Sequence, residues 1–155
     1  MKITNNQVFA ANNYLAQLDL SKFGKDIRIA IYKNVGELTS AVKAVQEKME
    51  ASKKELFKDL EDDAQKVGVL RKEFAKEETV KERKEAIVKE IIEYKDYLNA
   101  ENEFNKVAVE FGNDEVDIKL ITVDFNKFVD GLIESKIEFT AAQLQMISFL
   151  FDKIK

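Results

Sequence analysis

The 155 residues include neither histidine nor cysteine, which excludes disulfides, thiolate nucleophiles, imidazole bases and the usual zinc ligands. A net charge of −4 and an apolar fraction of 45% suit one globular domain with a sizeable core. They also oppose non-specific binding to nucleic acid, short of a local basic patch. Any enzyme chemistry would have to run on carboxylates, lysine, tyrosine, serine or threonine. Cysteine absence fits a reducing compartment. The start Met1-Lys-Ile-Thr-Asn-Asn-Gln7 leads into no apolar run, so no signal peptide is expected, and no stretch reaches the length of a membrane span.

Lys2 to Thr4 reads as a very short strand. Asn5 or Asn6 is expected to cap a helix carrying Val8, Phe9, Tyr14, Leu15 and Leu18. Asp19 to Gly24 reads as a turn in which Gly24 can take a left-handed conformation, with Phe23 as its anchor into the core. From Lys25 to Leu60 the larger apolar residues recur at Ile31, Val35, Leu38, Val42, Val45, Met49 and Leu56, with Ser52 in the one polar gap. Alternating steps of four and three make a heptad-type seam on one helix. Such a helix is about 54 Å long, whereas a compact domain of this size is only about 40 Å across. Its far end is therefore expected to project as half of a hairpin. Gly36 would permit close approach of a neighbour, and Glu50 and Lys54 form an i,i+4 pair in the favourable order.

Glu61-Asp-Asp63 is disfavoured at a helix C-terminus, so either the helix runs on or these acids open the next one. Gly68 is the first candidate for the hairpin tip. Thr79 is the second, because Thr79-Val-Lys-Glu82 has the form of a capping box. The return helix carries Val80, Ile87, Ile91, Tyr94 and Leu98, then Phe104, Val107 or Ala108, and Phe111 after a register shift near Asn99 to Glu101. Gly112-Asn-Asp114 ends it in a left-handed turn. Glu115 to Ile121 alternates polar and apolar as a strand does, to pair with Lys2–Thr4 or with Lys136–Phe139. Asp124 begins a short helix with Phe125, Phe128, Val129, Leu132 and Ile133 inward. Thr140-Ala-Ala-Gln143 is a capping box for a terminal helix with Leu144, Ile147, Leu150, Phe151 and Ile154 as its stripe.

The expected fold is mainly α, in a single domain. A long antiparallel, coiled-coil-like helical hairpin spans 25–111. A small α+β end, 1–24 with 112–155, comprises the N-terminal helix, a two-stranded β element and two short C-terminal helices.

Three places could carry chemistry. Asn113, Asp114, Glu115 and Asp117 cluster oxygens but lack the loop glycine and terminal glutamate of an EF-hand, and a solvated turn is the plainer account. Glu61, Asp62 and Asp63 are adjacent on a helix and point apart, so they read as surface. No metal, cofactor or catalytic residue is expected. The terminal helix adds Ala142, Met146 and Phe149 beside its core stripe. The plain account packs both faces internally; the sharper one makes these three a partner contact.

Several stretches together resemble a known group. These are Met1-Lys-Ile-Thr4, the charged helical hairpin, Glu110-Phe-Gly-Asn-Asp-Glu-Val-Asp-Ile-Lys-Leu120, Val123-Asp-Phe-Asn-Lys-Phe-Val129 and the Leu144-to-Leu150 helix. In this order they are similar to an uncharacterised family of small proteins, of about this length, encoded in tailed-bacteriophage genomes. The resemblance is sharpest at the two ends. It implies a phage setting, in the host cytoplasm or the virion, and no catalytic residues. The first functional expectation is a non-enzymatic assembly or accessory protein. It would contact another phage protein or a second copy of itself as a homo-oligomer, without membrane or nucleic acid. The second is an inhibitor of a host defence or nucleic-acid enzyme, using the acids at 61–63 and 73–85. A carboxylate–metal enzyme ranks last.

Overall fold

Helix and one minimal sheet account for the elements of the computed structural model, which describes residues 1–151. The protein is mainly α with a small α+β end. The chain divides into two units, Met1–Glu47 with the chain from Phe111 onward, and Lys48–Glu110. The first crossing thus lies inside the long helix, where sequence placed it at 24/25. The second lies one residue from the expected 111/112.

In the first unit, β1 (Lys2–Thr4) pairs antiparallel with β2 (Glu115–Asp117), with Ile3 opposite Val116. β2 is three residues long, so the alternating stretch to Ile121 is a strand only at its start. The amino group of Met1 donates to Asp117 Oδ1 at 2.9 Å and to the Ile118 carbonyl at 3.0 Å. α1 (Asn5–Ala16) is capped by Thr4, not by Asn5 or Asn6. Gln7 N donates to Thr4 Oγ1, and Thr4 N donates back to Gln7 Oε1 at 2.9 Å. Asn5 is instead buried, and its amide donates to the Phe111 carbonyl at 2.7 Å. Val8, Ala11 and Leu15 form the buried face of α1.

α2 (Lys25–Leu56) follows a turn in which Phe23 is buried as expected, its ring 5.6 Å from that of Phe128. Gly24 is not left-handed; among the described residues no glycine has positive φ. Its carbonyl accepts from Arg28 N at 3.0 Å, which makes it the entry to α2 and favours an extended conformation. The seam is as expected: Ile31, Leu38 and Val45 are buried, and Val35, Val42, Met49 and Leu56 are half-buried. Gly36 has nothing within 4 Å of where a Cβ would stand, so no neighbour approaches it. Glu50 and Lys54 are absent from the ion pairs of the described residues; hydration competes well with an exposed pair. Asn34, also on α2 and 1% exposed, donates through Nδ2 to the Ile121 carbonyl at 2.8 Å and accepts from Ile121 N at 2.7 Å.

The later elements of this unit close over the same core. α6 (Phe125–Glu134) starts at Asp124, whose Oδ1 accepts from Lys127 N at 2.9 Å. Gly131 lies against the ring of Phe23, where a Cβ would come within 2.4 to 2.7 Å of three ring atoms. α7 (Ala141–Met146) has the expected capping box of Thr140 and Gln143. It stops at Met146, well short of the terminal helix expected from sequence, and one 3-10 turn (Ser148–Leu150) follows. The chain leaves the helix because Leu150 is buried, its carbonyl accepts from Val123 N at 2.8 Å, and Phe151 bridges Val123 in parallel. The Phe151 ring stacks edge-on to Phe125 at 5.0 Å and tilts against Phe128 at 5.3 Å. Ile154, expected in the terminal stripe, lies outside the described residues.

The second unit holds the last turns of α2, then α3 (Glu61–Phe74), α4 (Lys81–Ile92) and α5 (Lys95–Asn113) as far as Glu110. The long helix ends at Leu56, four residues early, because Asp59 adopts φ 62° and turns the chain. Asp is among the few residues that tolerate this conformation. Glu61, Asp62 and Asp63 therefore open α3, where the helix dipole favours them. Gly68 is inside α3, so it is not a tip; α3 and α4 pack on each other across the turn at 75–80. Thr79 does not cap α4. Its hydroxyl donates to the Glu73 carbonyl at 2.6 Å, and Val80 takes the cap position with no side-chain bond. The return segment is two helices, interrupted at Glu93–Tyr94, a few residues before the expected register shift. α5 ends at Asn113 without a left-handed residue; its exit is held by Asn5 N donating to the Asp114 carbonyl at 3.0 Å. Val67, Ile87 and Ala100, one from each of α3, α4 and α5, are buried.

Replacing Asn34 with alanine removes two hydrogen bonds and leaves the Ile121 amide without its partner. We expect a loss of about 2–4 kcal/mol in unfolding free energy by urea denaturation. The exposed hydrogen bond from Thr39 to Asn12 serves as the control, and Asn12→Ala is expected to cost under about 0.5 kcal/mol. At Gly131, alanine gains up to about 1 kcal/mol of helix propensity but collides with Phe23. A net loss of about 1–2 kcal/mol is expected in the same measurement.

Candidate functional site

Helical spacing in the second unit gathers three aromatic side chains into one open groove. On α5, Tyr97, Glu101, Phe104 and Asn105 stand at i, i+4, i+7 and i+8, and so share a face. On α2, Glu50, Lys53 and Lys54 share a face that continues to Phe57, the first residue beyond the helix. Leu60, Glu61 and Ala64 close the groove from the turn and the start of α3. The cavity measures about 690 Å³, within the size range of binding clefts. Phe57 meets Tyr97 edge-on at 5.6 Å and Phe104 edge-on at 6.1 Å. All three rings are half-buried.

Polar contacts stiffen one wall. Arg71 on α3 grips Glu101 with both terminal nitrogens, at 2.6 and 2.7 Å, and Tyr97 Oη donates to Glu101 Oε1 at 3.2 Å. The guanidinium holds the Glu101 carboxyl below the usual carboxylate range. Burial pushes the Tyr97 phenol up, and the adjacent Glu101 charge adds to this. Along the rim, Lys53, Lys54 and Lys58 have no carboxylate within 4.0 Å among the described residues.

Outside the groove, a second network ties α3 to α4. Arg83 contacts Glu73 at 2.7 and 2.8 Å and Glu90 at 2.5 Å, and its guanidinium lowers the Glu73 carboxyl. In the first unit, a cleft of about 410 Å³ adjoins the start of α2. It is lined by Lys22, Lys25 and Lys127 against Asp26, Asp130 and Glu134, a balanced ionic rim around Ile27.

The residues singled out from sequence are scattered. Asn113 accepts from Asn6, and Asp117 is held by the Met1 amino group, which lowers its carboxyl. Among the described residues no group of three acidic side chains converges as a metal site would. Of the acids 61–63, Glu61 alone lines the groove. Ala142 and Met146 are exposed on α7, whereas Phe149 is half-buried against the core of the first unit. The expected second apolar face is thus divided, because the helix ends before Phe149. Sequence reasoning counted Phe104 as seam and passed over Phe57 and Tyr97 as a pair. The usable signal was Tyr97 and Phe104 at i,i+7 with a third aromatic at the end of the preceding long helix. Among the described residues no helix is long and apolar enough to cross a membrane. No family model, curated protein or solved structure matches this chain.

The Arg71–Glu101 pair gives a pH dependence with a definite sign. Glu101 titrates lower when folded than when unfolded, so its contribution is complete above the unfolded value of about 4.3. It is lost as pH falls through the folded value. Chemical-denaturation midpoints measured down a series from neutral pH should fall below about pH 4.3, and Glu101→Gln should flatten part of that fall.

Proposed function

We propose that this is a non-enzymatic interaction protein that works by binding a protein partner. The observation that supports it most is the groove floored by Phe57, Tyr97 and Phe104. It offers half-exposed aromatic surface of the kind that anchors protein contacts, and its polar wall is locked in the Arg71–Glu101 pair. The bacteriophage setting, as an assembly or accessory component, rests on the resemblance of the chain's two ends to small tailed-phage proteins. The partner is then another phage protein or a second copy of this chain. Ala142 and Met146, exposed on α7, are a second contact in this reading, while Phe149 packs against the core of the first unit.

The alternative, an acidic inhibitor of a host enzyme, calls for a concentrated anionic face. Glu73 and Glu90 are paired with Arg83, Glu101 with Arg71, and Glu85 with Lys81. Such interspersed signs favour solvation over mimicry of a polyanion.

The test is affinity capture from phage-infected bacteria with immobilised chain, beside the variants Asn105→Tyr, which places bulk over the groove, and Met146→Glu. The partner recovered by the wild-type chain should be lost with Asn105→Tyr. Recovery unchanged with Asn105→Tyr but lost with Met146→Glu would move the contact to α7. Sedimentation velocity at micromolar concentration reports self-association directly.

A further inference from the structure

We propose that the outer face of α2, centred on Gly36, is the contact surface for a second copy of this chain. The two α2 helices pack antiparallel across a two-fold axis that passes beside the glycine. The surface lies within the first unit and is independent of the groove.

Gly36 carries the argument. It stands inside a 32-residue helix, where glycine costs about 1 kcal/mol relative to alanine. Its φ is not positive, and nothing lies within 4 Å of where its Cβ would stand. Neither backbone geometry nor internal packing therefore calls for glycine here; close approach of a body outside the chain does. The neighbouring positions suit that use. Ile29, Tyr32, Gly36 and Ser40 follow one another on a single face of the helix, which Lys25 and Glu47 bound, and all six are exposed. Ile29 and Tyr32 are large apolar side chains turned to solvent, 42% and 65% exposed. Ser40 folds its hydroxyl back onto the Gly36 carbonyl at 3.0 Å, which leaves no unanswered hydroxyl beside the glycine.

The order of charges along the face selects the occupant and its direction. In a two-fold contact, positions equally far before and after Gly36 meet, and each meeting occurs twice. Lys25 then faces Glu47 of the second copy. Tyr32 lies over the space that Gly36 and Ser40 leave free, and Ile29 lies beneath the aliphatic stem of Lys43. At one edge of the face, Lys33 comes to Glu37 across the axis. No like charges are brought together. Parallel pairing would set every one of these residues on its own counterpart, lysine on lysine and glutamate on glutamate. The face is thus complementary to itself in the antiparallel sense.

Sedimentation equilibrium of the full chain in the micromolar range should show monomer and dimer in exchange. Gly36→Gln is the first variant. Glutamine is a better helix former than glycine and its Cβ meets nothing in the chain. The urea midpoint should therefore hold or rise, while the dimer dissociation constant rises at least roughly tenfold. Lys25→Glu and Glu47→Lys should each weaken the dimer. An equimolar mixture of these two variants should recover a heterodimer, because in it both ion pairs are restored with their signs exchanged. Asn105→Tyr should leave self-association unchanged. A monomer throughout the range, a dimer indifferent to Gly36→Gln, or a mixture no tighter than its two components overturns the proposal. Self-association abolished by Asn105→Tyr also overturns it and moves the contact to the groove, whose own reading is tested separately by capture of a partner.

Discussion

One carboxamide holds the first unit's irregular segment to its longest helix. Asn34 is buried on α2, among residues that are otherwise apolar. Left alone there, its amide would cost more than any neighbouring leucine could return. It is tolerated because Ile121 offers a backbone donor and acceptor at matching positions, 2.7 and 2.8 Å away. The pairing is the pattern of a sheet ladder, supplied by a side chain. It lets the chain between β2 and α6 run without a strand partner and still bury Ile118 and Val123. That in turn positions Val123 to receive Phe151 and complete the aromatic file from Phe23 through Phe128.

The second unit is organised on different terms. Its fully buried side chains are few and medium-sized, Val67 and Ile87 above all. Between its helices the specific contacts are forked arginine–carboxylate pairs, Arg71 with Glu101 and Arg83 with Glu73. Forked pairs give direction as well as attraction. Partly solvated, they contribute modestly to stability, but they fix which face of α3 meets α4 and α5. The aromatic residues thereby remain at the groove instead of being drawn into a larger core.

The parts of this fold that were legible in the sequence are those set by periodicity and by local hydrogen bonding. The α2 seam, the Asp124 cap, the Thr140–Gln143 box and the start of the strand after Asn113 all follow from residues close in sequence or from repeated spacing. Failures came where a distant contact decided a local conformation. Thr79 has the form of a cap, yet its hydroxyl goes to the Glu73 carbonyl. Asn5 has the form of a cap, yet it is drawn inward by Phe111. The terminal helix has a continuous apolar stripe, yet Phe151 leaves it for Phe125 and Phe128. Asp59 carries no local sign that it would end a helix, and neither proline nor glycine stands between Leu38 and Leu60. The groove was hidden for the same reason, since Phe57 reaches Tyr97 and Phe104 only after the chain has bent.

That bend makes the groove a conditional feature. A non-glycine residue at positive φ is held about 1 kcal/mol above its relaxed geometry, and the joint at Asp59, at φ 62°, carries that cost. If the joint straightened, α2 and α3 would fuse into a single rod. Phe57 would rotate off the other two rings, and three carboxylates would be left mid-rod without a helix terminus to favour them. The groove is in this sense a property of the bent backbone as much as of the side chains that line it.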